Sequence, residues 1–276
     1  MTALNTELYE RGMNNLGRNS IFRDTALSPA KGTSIWELCP QLAGLDPAVG
    51  FLFFEDFLTL PLDDTTRDPT NALLYSDTGT DAVSLPKLAG GVMQVACGGV
   101  DNNETYVQFG GATQATAAPF AITNASNKPV WFEARVKALE HADEGLFVGL
   151  AEEDAAQAAF LAVNTGVPAD KDFIGFRVKC DASDEWDIAW RKDGQAEQEI
   201  ANVVANADDW HTFAFLFDGV STVYFYVDRT LVTTQALTSA ATFPSGELLA
   251  PIVAVKTGEG VAKNIQVDYI KVFQAR

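Results

Sequence analysis

The stretch that most constrains the fold is residues 209–235, DWHTFAFLFDGVSTVYFYVDRTLVTTQ. Phe213, Phe215 and Phe217 fall on one parity. A turn at Asp218 and Gly219 leads to Val223, Phe225 and Val227, with Tyr224 and Tyr226 on the opposite parity. A second tight reversal at Asp228 and Arg229 leads to Leu231 and Thr233. Side chains that repeat every second residue, many of them aromatic or β-branched, suit a pleated surface with one buried face and cannot form a helical stripe. Three such segments joined by short turns predict an antiparallel meander.

The rest of the chain repeats this grammar. In KPVWFEARVKALE, Val130, Phe132, Ala134 and Val136 alternate with Trp131, Glu133, Arg135 and Lys137, which predicts a strand with one face in and one face out. GLFVGLA (145–151) reads as an inner strand, and GGVMQVACGG and ETYVQFGG as short strands bounded by glycines. FLFFEDF opens the pattern at Phe51. DFIGFRVKC, EWDIAWRKD, EIANVV, LLAPIVAVK and IQVDYIKVF complete it around the meander. One stretch, EEDAAQAAF (152–160), has the acidic start and alanine content of a short helix. The expectation is an all-β chain, a two-sheet antiparallel jelly-roll sandwich over residues 49–276.

Residues 1–48 do not share the pattern. Leu4, Leu8 and Tyr9 mark a brief helical face that Gly12, Asn14, Asn15 and Gly17 interrupt, and beyond it isolated apolar residues sit among turn formers. This predicts an extended N-terminal arm with little regular structure. Such an arm gains order on another surface or wraps its own domain.

Nineteen Lys and Arg stand against 37 Asp and Glu, a net charge of −18. The first 50 residues carry four bases (Arg11, Arg18, Arg23, Lys31) and five acids, so the excess lies almost wholly in the body. A surface of that sign repels phosphate backbones and anionic lipid, which disfavours nucleic acid as a partner. Cys39, Cys97 and Cys180 are odd in number and lack C-x-x-C spacing, against a disulfide framework or a thiolate metal site and in favour of synthesis in a reducing cytoplasm. No apolar run is long enough to span a membrane, and the N-terminus does not read as a signal peptide. His141 and His211 are not in zinc-ligand spacing, and no nucleotide loop or serine elbow is present. Asp101, Asn102, Asn103 and Glu104, or the acids of residues 63–68, offer oxygens for calcium or read as solvated turns. No metal or cofactor is expected.

Trp210-His211 before a strand, a strand ending V-D-x-x-L (Val227, Asp228, Leu231), and a last strand VDYIKVFQ (267–274) resemble the back half of the concanavalin A-like lectin/glucanase superfamily. The resemblance runs over roughly residues 49–276. It implies the sandwich but not a function, since that fold hosts lectins, laminin G-like modules, glycoside hydrolases and viral coat accessories. Hydrolases of the laminarinase and lichenase group carry E-x-D-x-x-E, whose outer glutamates are nucleophile and acid/base. Here Glu185 and Asp187 match the first two positions and Trp190 occupies the third, so the acid/base is missing and no catalytic residue is assigned. Parity puts Trp186, Ile188 and Trp190 in the core and Glu185, Asp187 and Arg191 on a solvated face. Trp131, alternating outward, is the candidate platform for a glycan or a neighbouring subunit.

An acidic sandwich behind a near-neutral arm also resembles structural proteins of tailed-phage virions, especially head decoration (cement) proteins. That resemblance implies a non-enzymatic protein made in the host cytoplasm and placed on the capsid surface. Its partners would be the major capsid protein or other virion proteins, held through arm residues Arg18, Phe22, Arg23 and Trp36. It also implies homo-oligomers, trimers foremost, that multiply weak contacts. The alternatives are a lectin-like module on a virion or tail surface and a degenerate or active glycoside hydrolase.

Overall fold

In a computed structural model, the residues described are 35–39, 46–59, 72–77, 82–86, 88, 90–109, 119–139, 143–152, 159–180, 184–237 and 241–276. Arg18, Phe22 and Arg23 lie outside them. The described residues form sixteen strands and one short 3-10 helix, Ile35–Leu38.

Two antiparallel sheets face each other. The meander sheet contains β1 (Gly50–Glu55), β3 (Ala82–Ser84), β4 (Met93–Cys97), β7 (Val130–Ala138), β12 (His211–Phe217), β13 (Thr222–Val227), β14 (Thr230–Ala236) and β16 (Lys263–Ala275). Its order is β14-β13-β12-β7-β16-β4-β3, and β1 pairs with the second half of β16. The opposite sheet contains β2 (Ala72–Ser76), β5 (Glu104–Phe109), β6 (Phe120–Ala121), β8 (Glu144–Glu152), β9 (Phe173–Val178), β10 (Glu185–Arg191), β11 (Gln198–Ala205) and β15 (Leu248–Thr257). Its order is β11-β10-β9-β8-β15-β5-β2, with β6 on β15. Neighbours that are distant in sequence, such as β7 beside β16 and β8 beside β15, are the crossovers of a jelly roll.

The meander forms as its periodicity predicts. Phe213, Phe215, Phe217, Val223, Phe225 and Val227 all enter the main core between the sheets. Phe132 stacks on its cross-strand neighbour Phe215 at 4.9 Å within the meander sheet, and Phe176 of β9 stacks on Phe213 at 4.8 Å, which ties the two layers through aromatic faces. Asp228 and Arg229 both have positive φ, 49° and 63°, the pairing a two-residue hairpin needs to follow strand twist. Asp218 Oδ1 accepts the amides of Val220, Ser221 and Thr222 at 2.7, 2.8 and 3.0 Å and so fixes the other turn.

Three expectations change. Trp131 is fully buried, not outward-facing to solvent: Phe273 lies 5.3 Å from its ring, and Ile35 of the short helix joins the same cluster on the outer face of the meander sheet. Strand parity was right about which face Trp131 occupies, but that face is covered. Trp36, expected to grip a partner, packs half-buried against the same cluster, with Lys271 Nζ 3.8 Å from the centre of its ring. The helix expected over residues 152–160 is not formed at either end. Glu152 closes β8 opposite Leu249, Ala159 and Phe160 are not helical, and residues 153–158 lie outside the described residues.

Candidate functional site

The outer face of the opposite sheet carries its polar chemistry, and strand alternation builds it. Asp187 on β10 stands opposite Arg177 on β9, and Ala189 stands opposite Glu199 on β11. Because successive side chains change face, Arg177, Asp187 and Glu199 share the outer side while Trp186, Ile188 and Trp190 enter the core as expected. Asp187, expected to be solvated, is buried at 4% exposure because the Arg177 and Lys179 side chains close over it.

Arg177, with no exposure, is the hub. It pairs with Glu197 and Glu199 and lies 3.8 Å from Asp187, while Lys179 reaches Asp187 at 3.5 Å and Glu199 at 2.6 Å. Asp187 Oδ1 also accepts the Asn202 amide at 2.9 Å, where β11 bulges and Asn202 takes φ 61°. Burial pushes the Glu197 carboxyl above its ordinary range against the pull of Arg177. The hydrogen bond from Lys179 outweighs burial at Glu199 and holds its carboxyl low. Two cations thus hold three carboxylates, with Arg177 and Asp187 buried at the centre and Glu199 at the exposed edge. A buried guanidinium requires such company, because an unpaired one would cost several kcal/mol, of order 3–5.

The third position of the resembled catalytic motif is filled by an aromatic ring. Trp190 stacks on Phe225 at 6.1 Å with the planes 22° apart, inside the core. A carboxyl group there would be sealed from any substrate on the outer face. The third position of the motif on β10 is therefore not a carboxylate facing the outer side.

Beside the ion cluster the same face is closed by the chain itself. Residues 159–172 fold back as a narrow hairpin, with Leu161 bridged to Pro168, and lay Phe160 and Leu161 on the sheet. Phe160 meets Phe147 edge-on at 5.0 Å and Tyr106 at 6.3 Å, while Tyr106 stacks on Tyr75 at 4.9 Å. Gly149 and Gly175 face each other beneath this aromatic layer. A Cβ at Gly149 would stand 2.3 Å from the Ile174 carbonyl oxygen, and one at Gly175 2.4 Å from that of Val148. Glu104 anchors the hairpin: its Oε1 accepts the Phe160 and Leu161 amides at 2.8 and 2.9 Å, and Lys256 Nζ lies 3.3 Å from Oε2. Burial pushes this carboxyl up to about 7, against the attraction of Lys256. Asn102 and Asn164 add a reciprocal pair at 3.0 and 2.7 Å. The calcium candidates Asn102 and Glu104 are thereby engaged by their own chain, and residues 63–68 lie outside the described residues.

His211 Nδ1 is 2.8 Å from Asp228 Oδ2, and Asp228 Oδ1 accepts the Thr212 amide at 2.8 Å, a bracket that ties the hairpin end to β12. His141 lies outside the described residues. The sequence reading missed Arg177, and it named Glu104 only as a loop oxygen, not as the anchor of the hairpin. The signal for Arg177 was present: a cation inside the apolar run DFIGFRVKC, on the parity of Phe173, Gly175 and Lys179.

Residues 146–273 match the family model described as the concanavalin A-like lectin/glucanases superfamily, laminin G type. No curated protein matches the chain significantly. Among solved structures, an endo-β-1,3-glucanase from Pyrococcus furiosus is similar over 84% of this chain and 99% of that one, at 11% identity and TM-score 0.53. The carbohydrate recognition domain of Emp47p is similar over 84% and 99%, at 12% identity and TM-score 0.51. A protein of unknown function, SO2946 from Shewanella oneidensis MR-1, is similar over 83% and 87%, at 15% identity and TM-score 0.51. With the two-sheet order above, these likenesses give the chain the fold of the concanavalin A-like lectin/glucanase superfamily.

Proposed function

We propose that this protein is a non-enzymatic structural module that attaches to the surface of a larger assembly, with virion decoration as the specific form. One observation carries the non-enzymatic part. The outer face of the β10 sheet is filled by the chain's own 159–172 hairpin and by carboxylates tied to Arg177 and Lys179, while Trp190 takes the acid/base position. A carboxylate tied to two cations is held as the anion and is poorly placed to donate a proton to a leaving group. The assembly part is supported by the charge division between a near-neutral head and a strongly acidic body.

The anchoring role falls to residues 1–34, because the segment 35–39 is already committed to the outer face of the meander sheet. The test compares the full chain with residues 35–276 in co-sedimentation with shells assembled from a tailed-phage major capsid protein. Full-length chain should pellet with the shells and the truncated chain should stay in the supernatant. Equal pelleting would refute anchoring by the arm. Release of reducing sugar from laminarin would refute the non-enzymatic reading.

A further inference from the structure

The large apolar side chains that the fold leaves in water are not scattered. Six leucines and phenylalanines are exposed among the described residues. Five of them, Leu52, Phe54, Leu58, Leu85 and Leu88, lie on β1, on the turn after it and on the loop from β3 to β4. Register puts Leu52 opposite Phe273 and Phe54 opposite Lys271, so both stand on the outer face of the meander sheet. The loop abuts the turn at Gly91, φ 77°, where a Cβ would stand 2.5 Å from the Asp56 carbonyl oxygen and 2.8 Å from the Leu58 amide nitrogen. Single exposed leucines need no explanation, but a contiguous patch marks a contact surface.

The same place offers an open strand edge. β1 pairs with β16 alone among the described residues, in an unbroken register of six pairs from Gly50 to Glu55. The two longer edge strands are interrupted: β11 bulges at Asn202 and carries Glu199, and β14 shifts register beside Tyr226. Bulges and charges keep a strand edge from pairing with another chain, and β1 has neither between Gly50 and Phe54. The acids that follow are turned back on their own bend. Glu55 Oε1 accepts the Phe57 amide at 3.1 Å, and Asp56 Oδ1 accepts the Leu58 amide at 3.4 Å.

Charge and area select the occupant. At net charge −18, two copies repel over most of their surfaces and meet best where acid is scarce. A strand pairing antiparallel with itself is self-complementary about a two-fold axis, and the outer faces stay aligned only if even-numbered residues oppose even-numbered ones. Centred on Phe53, that pairing sets Leu52 against Phe54 of the partner subunit. It also brings Glu55 opposite Phe51 of the partner subunit, a ring that has the Arg276 guanidinium 6.0 Å from its centre. Five side chains exposed by 36–64% leave roughly 400 Å² of apolar surface on each copy. With the strand edges included, the pair buries about 1,000 Å² in total, the lower bound for a specific interface.

We propose that this protein forms a two-fold dimer in which β1 pairs antiparallel with β1 of a second copy and the apolar patch around Phe54 closes over the joint. The proposal goes beyond the assembly role and does not use residues 1–34, so the two stand or fall separately.

The test is sedimentation equilibrium of the full chain from about 1 to about 300 μM, with amide hydrogen exchange at both ends of that range. An interface of this size predicts a monomer–dimer equilibrium with Kd of order 10 μM, and exchange at the β1 amides should slow as the dimer fills. Phe54→Lys places two ammonium groups across the joint and should weaken the dimer at least about tenfold, with no loss of fold because Phe54 is exposed. Val232→Lys, on the edge strand β14, should leave the Kd unchanged. The proposal is overturned by a chain that stays monomeric at the highest concentration, by a closed trimer, by β1 amides that exchange equally fast in monomer and dimer, or by a Phe54→Lys dimer as tight as the wild type. A full chain that stays monomeric while residues 35–276 dimerise would also overturn it, and would assign the patch to the leader instead.

Discussion

Replacing Glu104 by glutamine tests whether the carboxyl beneath the 159–172 hairpin is held protonated near neutral pH. The amide keeps an oxygen to accept the Phe160 and Leu161 N–H groups and nearly the same shape, so the variant removes ionisation and little else. Facing the carboxyl are Lys256 on β15 and those two amides; each favours the anion, yet burial outweighs them and pushes the group up to about 7 from its ordinary 4.5. A carboxyl raised on folding contributes stability that is fully present below about pH 4.5 and is lost as the pH rises through about 7. At about 1.4 kcal/mol for each tenfold step in proton affinity, the span is worth about 3 kcal/mol. Near pH 4.5 wild type and Glu104→Gln should therefore agree within about 1 kcal/mol, and by pH 8 the wild type should have lost about 3 kcal/mol relative to the variant. Urea unfolding followed by tryptophan fluorescence at pH 4.5, 6, 7 and 8 measures this, and the difference between the two proteins cancels the other carboxylates. A difference that stays flat, or that grows in favour of the wild type as the pH rises, would show that Lys256 and the two amides outweigh burial and that Glu104 is an anion throughout.

Other substitutions probe the covered faces. Trp131→Ala should cost about 3–5 kcal/mol in urea unfolding, since it empties the centre of a closed aromatic cluster. Trp190→Glu restores the letters of E-x-D-x-x-E but puts a carboxyl in the core against Phe225, so it should destabilise by several kcal/mol, of order 3, and release no reducing sugar from laminarin. Gly149→Ala sets a Cβ against the Ile174 carbonyl and should lower stability by about 1–3 kcal/mol, read as a reduced thermal midpoint.

The sheets were legible because the determinant of a strand face is local. In the meander and in β7 and β10, every second residue says which side is apolar, and Phe213, Phe215, Val130, Phe132, Trp186 and Ile188 all lie in the core as that rule requires. What alternation cannot say is whether the other side meets water. Trp131 and Asp187 were read as solvent-facing for this reason, and both are buried. The covers come from Ile35, far upstream of Trp131, and from the cations of β9 beside Asp187. The hairpin that carries Phe160 has no hydrophobic period of its own, and its anchor is a single glutamate in a different strand. The helix read over residues 152–160 rested on composition, which the pairing of Glu152 with Leu249 overrode at its start. Glu104 was visible only as a loop oxygen, because its role depends on a crossover between β5 and β15 that no short-range signal encodes.

The placement of Ile35 also separates two jobs that the sequence had merged into one arm. Ile35 is 2% exposed and belongs to the cluster around Trp131, and Trp36 lies beside it under Lys271. Removing residues 1–34 leaves this plug in place, whereas removing 1–39 strips a buried isoleucine, worth about 1.5–3 kcal/mol, and a cation–π contact, worth about 0.5–2 kcal/mol. The chain beginning at residue 40 should therefore unfold about 3 kcal/mol more easily than the chain beginning at residue 35, and should expose the Trp131 face to a hydrophobic dye. Equal stability of the two truncations would mean that the short helix adds no net stabilisation to the sheet. In that case the whole leader to residue 48 would again be free to serve a partner. A stability gap with equal dye binding would show instead that Phe273 and Tyr226 close over Trp131 unaided, and that Ile35 contributes its own burial alone.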